Sequence, residues 1–222
     1  MIIVNPTVAP QIARARAERY GYELVMPGDP RREAVVYGLA AVHALTGDGW
    51  DIDHARERVC VTLPGLGSVA LGLLAAIPVV GPLFAAAGAS VERPQVYLSP
   101  AALRDGNVLL GALRHEEGHV GQIRANGLPW CLAYGIIDEA RAGAEAPCYG
   151  AELAVRAALG ESPRRLYDAA LESLRAYGLG DDLALAEQLV RSTCAALEAG
   201  ADPGGMGAEM LAELERVTAV PQ

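Results

Sequence analysis

The sequence predicts an α+β, mostly helical domain in which a small β-sheet precedes a long central helix. Three observations lead there. Aromatic residues make up only 5% of the chain, while 25 glycines and 14 prolines divide it into short pieces. With alanine so abundant, that mixture suits close-packed helices better than an aromatic-rich all-β core. Segments with strand character are short and fall before residue 100, whereas the pattern from 108 onward is almost wholly helical.

The 222 residues suffice for one ordinary domain. We read 1–222 as a single unit with an uncharged insert at 59–91 and a helical extension at 161–222. A hydrophobic content of 52% excludes intrinsic disorder. The 18 basic residues are all arginine and face 27 acidic ones, a net charge of -9 that makes nucleic acid a poor partner. Cys60, Cys131, Cys148 and Cys194 are widely spaced and contain no CxxC pair, so they read as reduced thiols in or near the core. No basic segment followed by an apolar run opens the chain. A cleaved secretory signal is therefore not expected, and the reading is cytoplasmic or packaged with something assembled there.

Taken in order, Met1 to Val4 reads as a short strand stopped by Asn5-Pro6. Thr7 caps a helix to about Tyr20, ended by Gly21, and Tyr22 to Met26 is extended again. Asp29 and Pro30 start a helix over about 31–46. Val59 to Leu63 opens the insert as a strand, followed by apolar pieces interrupted by Pro78 and Pro82. Three readings stand for the insert: a buried or self-associating hairpin that supports homo- or hetero-oligomers, a membrane contact, or a loop. Strand character returns over 91–98, with Pro94 suited to an edge. Ser99-Pro100 opens a short helix, and Asn107 caps a longer one over about 108–125 that Asn126-Gly127 closes. Helices then follow over about 129–143, 148–159, 163–177 and 183–198, with a last one near 208–218.

His115-Glu116-Glu117-Gly118-His119 is an H-E-x-x-H sequence. Positions four apart lie one turn above each other on a helix, so two imidazoles point at one ion while Glu116 reaches a water on it. Zinc makes such a water a nucleophile near neutral pH, and a glutamate takes up its proton. With four histidines in the chain, a shuffled sequence of this composition holds the pattern about 0.005 times. A third protein ligand must leave one position for water. No histidine follows His119, so Cys131, Asp138, Glu139, Glu145, Cys148 and Glu152 are the local choices, glutamate being favoured because oxygen ligation preserves the ion's polarising charge. A regular helix puts Glu145, Cys148, Tyr149 and Glu152 on one face and Glu139 elsewhere.

Residues 93–156 resemble zincin metallopeptidases of the two-histidine, one-glutamate kind, the gluzincins, and are similar to small phage and bacterial proteins with H-E-x-x-H-x-x-Q. Gln95 to Leu98 matches the strand before the metal helix, Gln122 the glutamine, and Glu145-Ala146-Pro147-Cys148-Tyr149 an E-x-x-A-Y segment with cysteine in the alanine position. The resemblance implies zinc held by His115, His119 and Glu145, with Glu116 as base. Glu139 is the third ligand under a thermolysin-like spacing, whose companion aspartate position is Gly143 here. Tyr149 is read as an oxyanion stabiliser or packing residue, Gln122 as orienting the metal-site helix, and 95–98 as an edge that aligns a peptide substrate. Arg114 and Arg124 read as solvated helix charges, and His43 and His54 as non-ligands. The activity implied is zinc-dependent hydrolysis of peptide or related amide bonds. The alternative is an assembly protein of a phage particle (virion-associated) or of a membrane complex that keeps the zinc fold.

Overall fold

A computed structural model describes residues 2–33, 35–37, 56–57, 60–63, 94–177, 179–201 and 212, without the side chains of 128, 129, 131, 132, 135 and 136. Residues 2–4 form no strand. They are clipped to later helices: Ile2 N–H donates to the Leu159 carbonyl at 2.6 Å and Val4 N–H to Asn107 Oδ1 at 3.0 Å. Helix α1 spans Ala9–Tyr20. Asn5, not Thr7, organises its start, its side chain accepting from the Thr7 N–H at 2.9 Å and its carbonyl from Val8 and Ala9. Gly21 ends α1 in the left-handed region at φ 67°.

Three short strands follow: β1 (Glu23–Val25), β2 (Val61–Leu63) and β3 (Gln95–Tyr97). Their order is β1-β3-β2, with β3 parallel to β1 and antiparallel to β2. The expectation that 95–98 forms an edge is therefore corrected, because β3 is the central strand. Pro94 does not prevent this. It stands just before the ladder, and its carbonyl accepts from Glu23 N–H at 2.9 Å. Between β1 and β2, the described residues of 30–37 are helical and Asp29 Oδ1 accepts from Arg31 N–H at 2.9 Å, as a cap does. The expected extent of that helix to 46, most of the 59–91 insert, His43, His54 and nearly all of the 208–218 helix lie outside the described residues.

Helix α2 (Pro100–Arg104) begins as expected, with Ser99 Oγ accepting from Ala102 N–H at 3.1 Å. Helix α3 spans Gly106–Ile136 and is capped by Asp105, which accepts from the N–H groups of Asn107 and Val108. Asn107 is occupied by the amino-terminal segment instead. The expected stop at Gly127 is a break inside α3, at φ 66° and ψ -158°, after which the helix resumes in a new direction. Helix α4 (Asp138–Ala158) runs unbroken through Pro147, joining two segments the sequence reading kept apart. Pro147 is exposed, so its ring points to solvent and its missing N–H leaves the packed face intact. Helix α5 (Pro163–Ala176), a 3₁₀ turn (Gly180–Asp182) and helix α6 (Leu183–Glu198) complete the described order.

Two apolar clusters hold these elements. Ile12, Val96, Leu109, Leu110 and Leu113 pack with Val155 and Leu159 in the first. Ala146, Tyr149 and Leu153 of α4 pack with Leu166, Leu171, Leu174 and Val190 in the second. Each fully buried leucine contributes about 1.5–3 kcal/mol relative to exposure. Helix α4 thus faces both clusters and lies along α3. Among the described residues no helix is long and apolar enough to cross a membrane.

Candidate metal centre

The α3–α4 seam brings His115, His119 and Glu145 together, all buried, with one ligand-type atom of each within 4.8 Å of the others. His115 Nε2 and His119 Nε2 are 3.2 Å apart. Glu145 Oε2 lies 3.2 Å from His115 Nε2 and Oε1 lies 3.4 Å from His119 Nε2. Neighbouring groups fix how the imidazoles are used. Gln122 donates from Nε2 to the Ala144 carbonyl at 2.9 Å, which turns its Oε1 toward His119 Nδ1, also at 2.9 Å. That nitrogen must then carry the proton, leaving Nε2 as a bare lone pair. On His115, Nδ1 faces Glu152 Oε2 at 3.6 Å, and Glu152 is held by Arg156 at 3.1 Å. Among the described residues, Glu145 Oε2 has no hydrogen-bond donor.

Two imidazole nitrogens and a carboxylate therefore converge in a buried space. Such a set needs a cation or added protons. Without an ion the charges answer one another. Burial alone pushes the His115 imidazole down, but the carboxylates of Glu145 and Glu152 facing its two nitrogens outweigh it and raise its pKa to about 10. Glu145 is pushed up by burial and held well below the carboxylate range by His119 and His115. The make-up is that of a zincin-like metal-binding site, and the two-nitrogen, one-oxygen set fits zinc.

Glu116 lies beside this cluster, buried, and its Oε2 accepts from Thr62 Oγ1 at 2.6 Å. Burial raises its pKa, against the lowering effect of both histidines and of Thr62. Glu117 turns the other way, into a bidentate pair with Arg16 of α1 at 2.7 and 2.6 Å, so it does not face solvent. Gly118 lies where the two helices pack closely, because a Cβ there would meet Cys148 Sγ at 2.6 Å. The side chain of Cys148 occupies the space that glycine leaves. Its sulfur is 3.6 Å from His119 Nδ1, on the side of the ring away from Glu145.

The ring of Tyr149 stands edge-on to His115 with centroids 4.5 Å apart. A hydroxyl reaches the cluster from Tyr134, which donates to Glu145 Oε1. Burial and the Glu145 charge hold that phenol far above its ordinary pKa, hence protonated. The sequence carried no sign of Tyr134, because the redirection of α3 at Gly127 decides where that residue lies. Thr62 was equally hidden, 54 positions before Glu116 and tied to it only by the sheet. Glu139 is exposed in the first turn of α4 and is not in the cluster. Arg114 pairs with Glu117 at 3.3 Å, and Arg124 donates to the Gly21 carbonyl at 2.9 Å, closing the end of α1. The side chain of Cys131 is outside the described residues.

Comparison of the chain with models of protein families, with curated proteins and with solved structures finds no match. The reading of the centre therefore stands on its geometry.

Proposed function

We propose that the chain is a zinc-dependent hydrolase of peptide or related amide bonds, with a gluzincin-like site. One observation carries this reading: His115 Nε2, His119 Nε2 and Glu145 Oε2 converge in a buried cluster, with Glu116 next to the histidines on their helix. His115, His119 and Glu145 would hold the metal as three protein ligands, leaving a fourth position free. Zinc bound there supplies Lewis acidity and brings the pKa of a water to about 7.

Glu116 is the proton carrier. It accepts a proton from the attacking water and returns it to the leaving nitrogen, a role suited to a carboxylate whose basicity burial has raised. Thr62 orients Glu116 by donating to Oε2. Gln122 holds the His119 imidazole through Nδ1, the Glu152 carboxylate faces His115 Nδ1 at 3.6 Å, and Tyr149 packs against the His115 ring. Among the described residues β2 pairs with β3 alone, and its other edge, beside Glu116, is the strand edge against which an extended peptide would align.

The test is Glu116→Gln. Hydrolysis of a peptide library should fall about 10²–10⁴-fold while the chain keeps one equivalent of zinc and its melting temperature. Wild-type turnover by this variant, or no zinc-dependent turnover by the wild type, would remove the hydrolase reading and leave a metal-binding fold with another task, such as assembly.

A further inference from the structure

The two oxygens of Glu145 stand at nearly equal distances from the imidazoles, 3.2 Å for Oε2 to His115 and 3.4 Å for Oε1 to His119. By distance alone, the carboxylate is placed to offer both oxygens to one ion. The hydrogen bonds break that symmetry. Oε1 accepts from the Tyr134 hydroxyl, whereas buried Oε2 has no donor among the described residues. The Tyr134 ring is itself held in place, edge-on to His119 at 5.8 Å between centroids and tilted on Trp130 at 5.4 Å. Both Trp130 and Tyr134 come from the stretch of α3 redirected at Gly127. The break in α3 thus delivers a phenol O–H to one particular oxygen of the third ligand.

We propose that Tyr134 is a positioning residue that restricts Glu145 to one-oxygen ligation, Oε2 for the metal and Oε1 for the phenol, so that one coordination position stays open for water. This rests on the metal-site reading above. A carboxylate oxygen engaged by an O–H donor is a weaker ligand, and a carboxylate free to bind through both oxygens fills the position a hydrolytic water needs.

Cobalt(II) substitution tests the proposal, since its visible bands weaken when four-coordination becomes five-coordination. Tyr134→Phe keeps the ring packing and removes only the donor. The variant is expected to take up one cobalt with affinity equal to or above that of the wild type and to show weaker, shifted visible bands. Its kcat should fall about 10–100-fold with KM little changed. Cobalt bands identical to those of the wild type would overturn the proposal, as would a loss of cobalt affinity without a spectral change, which marks a merely supporting hydrogen bond. Failure of the metal-site reading shows itself separately, because the wild-type chain would then take up no cobalt, and the proposal would fall with it.

Discussion

Gly118 lies between the two histidines, and its missing side chain is a packing requirement: a Cβ would come within 2.6 Å of Cys148 Sγ. Gly118→Ala should therefore destabilise the fold by about 1–3 kcal/mol through overpacking, despite alanine's better helix propensity. In a Cys148→Ala background the same change should be neutral or stabilising. Urea unfolding of the four chains checks this, and an equal cost in both backgrounds would contradict it. At this scale the sequence showed much of the centre. His115, His119 and Glu116 follow from spacing along one helix, and Glu145 from the resemblance of 145–149 to an E-x-x-A-Y segment. Thr62, Tyr134 and the Arg16 partner of Glu117 were invisible, because each arrives from an element whose approach only tertiary packing decides.

Between elements, the Arg16–Glu117 pair joins α1 to the face of α3 away from the histidines, with both side chains almost fully buried at 1% and 3% exposure. Tyr22 adds a hydroxyl to Glu117 Oε1 at 3.3 Å and Arg114 a further contact. Arg16→Met leaves a buried carboxylate short of its main partner and should cost about 3–5 kcal/mol, whereas Arg16→Met with Glu117→Leu should recover most of that loss. A single variant that costs under about 1 kcal/mol in urea titration would show the pair to be incidental. The element order and most boundaries were legible from caps and breakers: Gly21 ends α1, Ser99 caps α2, and Gly127 interrupts α3. Sheet order was not. Pro94 suggested an edge, yet a proline one residue ahead of a three-residue strand leaves both sides free to pair, so β3 became central. Pro147 suggested a kink, yet its exposed position lets α4 continue.

Across the whole molecule, the protons of the metal-free centre set its pH response. The pKa of His115 is raised from 6.5 to about 10, so its contribution to stability is complete below about pH 6.5 and is lost as pH rises through about 10. Glu145 is lowered from 4.5, so its contribution is present above about pH 4.5 and is lost as pH falls through its folded value. The metal-free chain should therefore lose melting temperature from pH 6.5 to 9. A metal displaces the protons, so zinc should bind more tightly, and raise the melting temperature by more, over the same interval. At zinc a hundredfold above its Kd the gain is about 2.7 kcal/mol. Calorimetry at pH 6.5 and 9, with and without zinc, reads both slopes, and a metal-free chain that gains stability with pH contradicts the arrangement of charges described above. Most directly, the metal content of the purified wild-type chain can be measured beside Glu145→Ala and Glu139→Ala. One zinc per chain in the wild type and in Glu139→Ala, but none in Glu145→Ala, is the outcome the geometry requires. Zinc retained by Glu145→Ala, or absent from the wild type, would contradict it.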